Sequence, residues 1–309
     1  MSKNKKTRND NFYKKAGADK AFDIINFIVL TLILIITAYP IYFVIIASFS
    51  EPAAVSGGEV ILMPKGINLN GYKEVFKDER IMRSFLNSVV ITVLGTLTNL
   101  IVTLPTSYAL SRDDFRGRKF VTYFYMVTMF VSGGMIPTYL VVSNLGLLDT
   151  YWALVLPGAL SVFNMFVGRT FFKTTISEEL IDAAKIDGAS QTRFFLTIAL
   201  PLSPALIAIL ALYYGVGHWN SYFSSLLYIT SKEKYPLQLV LRSILVLNEN
   251  QLSQIPKTAE QMKAVEQARQ LTELMKYSLI IISSIPVMLV YPFIQKFFVK
   301  GVMIGSVKG

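Results

Sequence analysis

Ile176-Ser177-Glu178-Glu179-Leu180-Ile181-Asp182-Ala183-Ala184-Lys185-Ile186-Asp187-Gly188-Ala189, running on through Ser190, Arg193, Phe194 and Phe195 to Pro201, is a charged island between two long uncharged runs. Ser177 stands where an N-cap oxygen accepts from free backbone N–H groups. Glu178 and Glu179 fall in the first turn, where the helix dipole favours negative charge. Gly188 stands where a helix ends in the left-handed conformation. The spacing predicts a short helix with an abrupt end, and Ser190 repeats the capping signal for a second helix that Pro201 ends. Ala183 and Ala184 leave a small-residue surface that lets another backbone come close. On physical grounds alone this is an exposed helical hairpin lying against a larger body.

The flanks say what that body is. Six stretches lack Asp, Glu, Lys and Arg: Ile24 to Phe49, Phe85 to Leu110, Phe120 to Leu148, Trp152 to Gly168, Pro201 to Tyr228 and Tyr277 to Ile294. Each is long enough to cross a hydrocarbon core of about 30 Å. With 53% hydrophobic and 16% charged residues, the chain reads as an all-α polytopic membrane protein of six transmembrane helices. The first stretch is too long for a signal-peptide core and has no small-residue cleavage site. Pro40 kinks it without ending it.

Charge sets the expected orientation. The tail 1–20 carries seven basic residues, and the loop Arg112 to Lys119 has four basic against two acidic. Both belong on the cytoplasmic side by the positive-inside rule. An even number of spans then puts both termini in the cytoplasm, together with the loop 169–200. Residues 50–84 and the segment 231–276 are external. In the latter, Pro256 to Lys276 spaces Met262, Val265, Ala268, Leu271 and Met275 as an amphipathic helix. The expected organisation is a basic tail, 1–20, and one membrane domain, 21–309.

Several chemistries are excluded. The chain has no cysteine and one histidine, His218, so it offers neither disulfides nor the ligand set of a zinc or copper site. No catalytic triad or carboxylate pair can be assembled, and no GxxxxGK[ST] cradle for ATP phosphates occurs. The spans lack the intramembrane carboxylates of proton or sodium relays, which argues against an ion-coupled carrier. The net charge of +10 resides in the tail and loops, as a membrane protein requires, and does not indicate nucleic acid.

The order acidic-Ala-Ala, three residues, Gly188, nine residues, Ile198, one residue, Leu200-Pro201 resembles the EAA loop of binding-protein-dependent ABC importer permeases. Asp182 replaces the usual glutamate and Ser177 a frequent proline. Gly133-Gly134-Met135-Ile136-Pro137, Trp152 to Pro157, Gly217-His218-Trp219-Asn220-Ser221-Tyr222 and the ending Phe298 to Gly309 are similar to the carbohydrate branch, nearest the second permease subunit of the maltose-transporter type. The resemblance implies a type I ABC importer permease fold in a bacterial plasma membrane. It further implies a heterodimer with a sister permease, two cytosolic ATPase subunits and an extracytoplasmic sugar-binding protein. ATP and Mg would be bound on the ATPase and no cofactor by this chain. Glu178, Glu179, Asp182, Ala183, Ala184, Asp187, Gly188, Ala189, Phe194 and Pro201 become the expected ATPase-coupling residues, and the segment 231–276 is expected to face the binding protein.

Asn164, Trp219, Asn220 and Tyr222 are the substrate-pathway candidates: Trp219 and Tyr222 offer faces for sugar stacking, and Asn164 is polar within a span. Each has a plainer reading. His218 and Trp219 suit an interfacial belt, Asn164 helix-to-helix hydrogen bonding, and Gly133 and Gly134 a kink. A secondary transporter, which needs an intramembrane carboxylate or paired broken helices, and a membrane scaffold, which co-purification with an ATPase separates from an importer subunit, remain the alternatives. The orientation is checked in this cysteine-free chain with Ser190→Cys, which an impermeant thiol reagent should reach only after the cells are opened. Labelling in intact cells would reverse the topology.

Overall fold

The computed structural model describes residues 17–252, 272–273, 275–293 and 295. The basic tail to residue 16, most of the amphipathic stretch Pro256 to Lys276 and the ending Phe298 to Gly309 lie outside the described residues. The chain forms two compact units, 1–68 and 69–309.

In the first unit, α1 (Gly17–Ser48) is 32 residues long, about 48 Å at 1.5 Å per residue, and carries Pro40 inside it. Most of its apolar side chains are exposed, Phe27 and Ile36 each by 70%, while Ile46 and Ala47 in its last turn are buried. A short α2 (Pro52–Ser56) follows. The chain after it is pinned to the end of α1 by Glu51 N–H to Lys65 O at 2.9 Å and Asn68 N–H to Phe49 O at 3.0 Å.

In the second unit, α3 (Asn70–Lys77) leads to α4 (Glu79–Ser111), whose first turn is capped by the Asp78 carboxylate accepting from Arg80 N–H at 2.9 Å. Beyond α4 come α5 (Arg118–Phe130), α6 (Met135–Asn144), α7 (Trp152–Val155) with a 3-10 turn to Gly158, and α8 (Val162–Thr175). They are followed by α9 (Glu178–Ile186), α10 (Gln191–Phe194) with a π turn to Ala199, and α11 (Pro204–Trp219). The unit closes with α12 (Phe223–Tyr228), α13 (Leu237–Leu252) and α14 (Met275–Phe293). No strand occurs among the described residues.

Among the described residues six spans are present when each bent pair is taken as one span, three of them broken. The helices α1, α4 and α14 are each long and apolar enough to cross a membrane. The other three spans are bent pairs, α5 with α6 at 116°, α7 with α8 at 55°, and the 191–199 segment with α11 at 88°. Three expected boundaries change accordingly. The run Phe120 to Leu148 is two helices, because Gly134 takes a φ of 85° between them, so the kink reading of this glycine pair holds. The fourth span does not stop at Gly168. Arg169 lies within the helix, its Nε donating to Leu110 O at 3.0 Å at the end of α4, and the helix continues to Thr175. The segment after Ser231 contains a helix, α13, ahead of the amphipathic stretch expected there.

α4 is the axis of the second unit, packed by α8 and α11. Ser84, Ser88, Gly95, Asn99, Thr103, Ser107 and Ser111 recur at four- and seven-residue spacing, so they share one stripe. Each neighbour is fastened there by hydrogen bonds. Ser88 Oγ accepts from Leu237 N–H at 2.8 Å, and Asn99 Nδ2 donates to Gly158 O at 2.6 Å. Asn99 Oδ1 meets His218 Nε2 at 2.6 Å, Thr103 Oγ1 meets the Tyr214 hydroxyl at 2.7 Å, and Ser107 Oγ donates to Met165 O at 2.9 Å. The ring of His218 sits over Gly95, where a Cβ would collide with it. His218 is therefore an inter-helix residue and not an interfacial anchor.

At the Glu79 end of α4, Asp149 gathers the loops. It is the one non-glycine residue among those described with positive φ, 59°. Its carboxylate accepts from Thr230 N–H at 3.1 Å, Ser231 N–H at 2.9 Å, Ser231 Oγ at 2.6 Å and Lys234 Nζ at 2.8 Å. The Lys234 ammonium first, and then the Ser231 and Thr230 donors, hold this carboxyl well below the usual carboxylate range.

A Cβ on Gly168 would lie 2.6 Å from Ser107 Oγ, whereas one on Gly158 meets nothing within 4 Å. Gly168→Ala should destabilise the purified protein by about 1–3 kcal/mol, and Gly158→Ala by less than about 0.5 kcal/mol, read as loss of Tm in detergent. For Asp149, the folded-state pKa is depressed, so its stabilisation is in place above the ordinary carboxylate pKa and is lost only as pH falls through the lower folded value. Asparagine tolerates the same backbone. Asp149→Asn should therefore lower Tm by an amount that stays constant from pH 8 to pH 5.

Candidate functional site

The charged island folds as its capping signals dictate. Ser177 Oγ accepts from Leu180 N–H at 3.4 Å at the start of α9, with Glu178 and Glu179 in the first turn. At its other end Ala189 N–H returns to Ala184 O at 2.9 Å and Gly188 N–H to Lys185 O at 3.0 Å, the paired bonds of a Schellman motif. Gly188 has the required φ of 75°. Ser190 Oγ then accepts from Arg193 N–H at 3.2 Å to start α10.

Each face of α9 has its own task. Ile181 and Ala184 are buried in an aromatic cluster with Tyr108, Phe172, Phe194, Phe195 and Leu206. The Tyr108 ring lies 5.1 Å from that of Phe195, 5.7 Å from Phe172 and 6.2 Å from Phe194, so α4, α8 and α10 meet over the inner face of α9. Glu178, Glu179, Asp182, Ala183, Asp187 and Gly188 are exposed on the other side. With them stands Ile186, 87% exposed, a large apolar side chain among acids. The sequence reading missed it; its signal was an isoleucine out of phase with the buried Ile181 and Ala184. Pro201 lies exposed in the turn between the π turn and α11.

Charges brace this end of the bundle. Arg112 NH2 pairs with Asp114 at 2.8 Å, Asp114 faces Lys185 at 4.0 Å, and Lys185 meets Asp182 at 3.2 Å. Asp113 pairs with Arg118 and lies 3.4 Å from Lys173. Arg112 and Arg118 respectively hold Asp114 and Asp113 below the ordinary carboxylate range. Between these groups is a cavity of about 240 Å³ lined by Tyr108, Arg112, Asp114, Phe172, Asp182 and Lys185. The coupling candidates are thus a built cluster, tied to α4 through both apolar and charged contacts.

The pathway candidates are scattered. Asn164 is buried on α8. Trp219 is 4% exposed, its Nε1 donates to Ser283 O at 2.9 Å and its ring meets Phe85 edge-on at 5.7 Å, so it packs α11 against α14 and α4 and leaves no face for stacking. Asn220 donates to Val216 O at 3.0 Å in the last turn of α11. Tyr222 is partly exposed, with the Arg242 guanidinium 5.0 Å above its ring. No hydrogen bond or ring contact joins any two of the four among the described residues.

The described residues thus form a helical membrane bundle with a capped surface helix seated on it. Over 295 residues the chain is 42% identical to Protein LplC of Bacillus subtilis (strain 168), with 96% of this chain and 97% of that protein covered. It is 39% identical over 291 residues to the polygalacturonan/rhamnogalacturonan transport system permease protein YtcP of the same organism, with 94% and 99% covered. Its structure matches a chain from the crystal structure of a bacterial ABC transporter involved in the import of the acidic polysaccharide alginate, with a TM-score of 0.82 and 32% identity over 93% of this chain and 99% of that one. No family model matches the chain. The chain belongs to the sugar permeases of the ABC importers. It has the type I importer permease fold and is a non-catalytic bacterial membrane subunit that forms half of a sugar translocation pathway, in an importer whose ATPase uses ATP. A partner permease, an ATPase and a binding protein go with that role.

Proposed function

We propose that α9 is the coupling helix of an oligosaccharide importer: it docks in a groove of the ATPase and converts nucleotide-driven closure into reorientation of the pore. The observation that carries this is Ile186, exposed on the free face of a helix whose other face is sealed into the aromatic cluster. An apolar anchor ringed by acids suits a partner groove with a basic rim. Glu178, Glu179, Asp182, Ala183, Asp187 and Gly188 form that free face, Ala184, Ala189 and Phe194 the side that passes force inward, and Pro201 the turn into α11. In the same reading the chain pairs with a different sister permease, two ATPase copies bind ATP and Mg, and this chain binds neither. Both termini and residues 176–190, the part of the 169–200 loop left between the bent fourth and fifth spans, are cytoplasmic, and the segment 231–276 faces the binding protein. The polygalacturonan and alginate systems it resembles make acidic oligosaccharides the substrate class to test first.

Gly188 gives the cleanest test because a side chain there meets nothing within 4 Å, so only its backbone conformation resists substitution. A β-branched residue at positive φ costs about 1–2 kcal/mol and redirects α10. Gly188→Val should leave membrane insertion intact while reducing sugar moved per ATP hydrolysed in proteoliposomes. Ile186→Ala and Asp182→Lys should release the ATPase during purification, and Asp182→Glu should retain it. Parent-like coupling and retention in all of these variants would reduce α9 to a simple connector.

A further inference from the structure

The segment after α2 returns along the side of α1 instead of leaving its end. Tyr39 OH donates to Ile61 O at 3.2 Å, and Tyr42 OH donates to Leu62 O. These tyrosines lie six and nine residues before Ser48, about 9 and 14 Å down the helix axis. Counting about 20 residues from Ile24 as the hydrocarbon span places Tyr42 at the membrane boundary, where tyrosine belts sit, and Tyr39 about one turn inside it. The turn they hold carries Ile61, Leu62 and Met63, exposed by 59%, 65% and 77%, while Val60 beside them is buried. Its base is closed by the Glu59–Lys65 ion pair at 3.2 Å, so the charges stay together at one end and the apolar tip projects from the other.

We propose that residues 61–64 form a wedge that seats in the lipid of the leaflet at the C-terminal end of α1 and fixes how deep that helix sits. Three observations select lipid as the occupant. The turn lies at the depth of the tyrosine belt, beside a helix whose own apolar side chains, Ile41 and Ile45 among them, are exposed at the same level. The lipid-facing surface of α1 therefore continues onto the wedge. Two consecutive carbonyls of this irregular segment are each given a tyrosine hydroxyl, and Pro64 contributes no N–H, which is the provision that backbone needs near hydrocarbon and does not need in water. Met63 supplies the pliable side chain that disordered acyl chains accommodate.

The complete importer, reconstituted in vesicles, tests this with a nitroxide on Leu62→Cys and Met63→Cys, since the chain has no cysteine of its own. Relaxation by oxygen should exceed relaxation by a water-soluble nickel chelate severalfold at both positions, and the order should reverse at Ser56→Cys. Tyr39→Phe with Tyr42→Phe should shift the Met63→Cys label toward the nickel chelate while Ser56→Cys is unchanged. A label at 62 and 63 relaxed chiefly by nickel would mean that the turn faces water. One immobilised and reached by neither reagent would mean that a protein partner covers it. Either result overturns the proposal.

Discussion

In a lipid environment the hydrophobic effect does not hold one helix to another, so the bundle depends on hydrogen bonds and close approach along α4. Asn99 is the centre of that arrangement. Its amide uses both ends, donating to Gly158 O and meeting His218, and so ties α11 and the break between α7 and α8 to one turn of α4. Thr103 and Ser107 repeat the device one and two turns further on, through Tyr214 and Met165. Tyr214 then reaches across to Ser161 N–H at 3.2 Å, so the three helices share one polar seam.

That seam runs to the end where α9 is seated. Tyr108 is one residue past Ser107 and belongs to the cluster that buries Ile181 and Ala184. A displacement of α9 therefore presses on α4 through rings in van der Waals contact and on α11 through the π turn and Pro201. Packed rings and capped helices are stiff, while the 55° and 116° breaks lie elsewhere in the spans and the 88° break falls at the Pro201 turn, between the π turn and α11. On the proposed coupling role, stiffness at α9 and breaks where segments can swing is the division of labour that a lever requires.

Much of this was legible in the sequence, for identifiable reasons. Ser177, Gly188 and Ser190 act over two to five residues of backbone, so their spacing is sufficient to read α9 and α10. The six spans were visible because charge is excluded over lengths that nothing else needs. The third span misled because composition carries no bend: Gly133 and Gly134 mark a kink without its angle. Arg169 misled in the opposite sense, since its partner, Leu110 O, is 59 residues away. Trp219 looked like a ligand platform because an aromatic residue near a helix end suits either role until Ser283 is seen to accept its N–H. The stripe on α4 was written at regular spacing, but small and polar residues in a span announce a packed face without naming what packs on it.

The broken spans also bear on how the chain is made. Only α1, α4 and α14 are long and apolar enough to enter a bilayer unaided among the described residues. The halves α5 and α6, of 13 and 10 residues, are each shorter than the roughly 20 that a crossing takes. Such segments reach their final depth only against a partner already in place. α4 emerges from the ribosome ahead of all three bent pairs and carries the hydroxyls and amide that fasten two of them. The order of synthesis thus delivers α4, with its packing stripe, before the parts that pack on it.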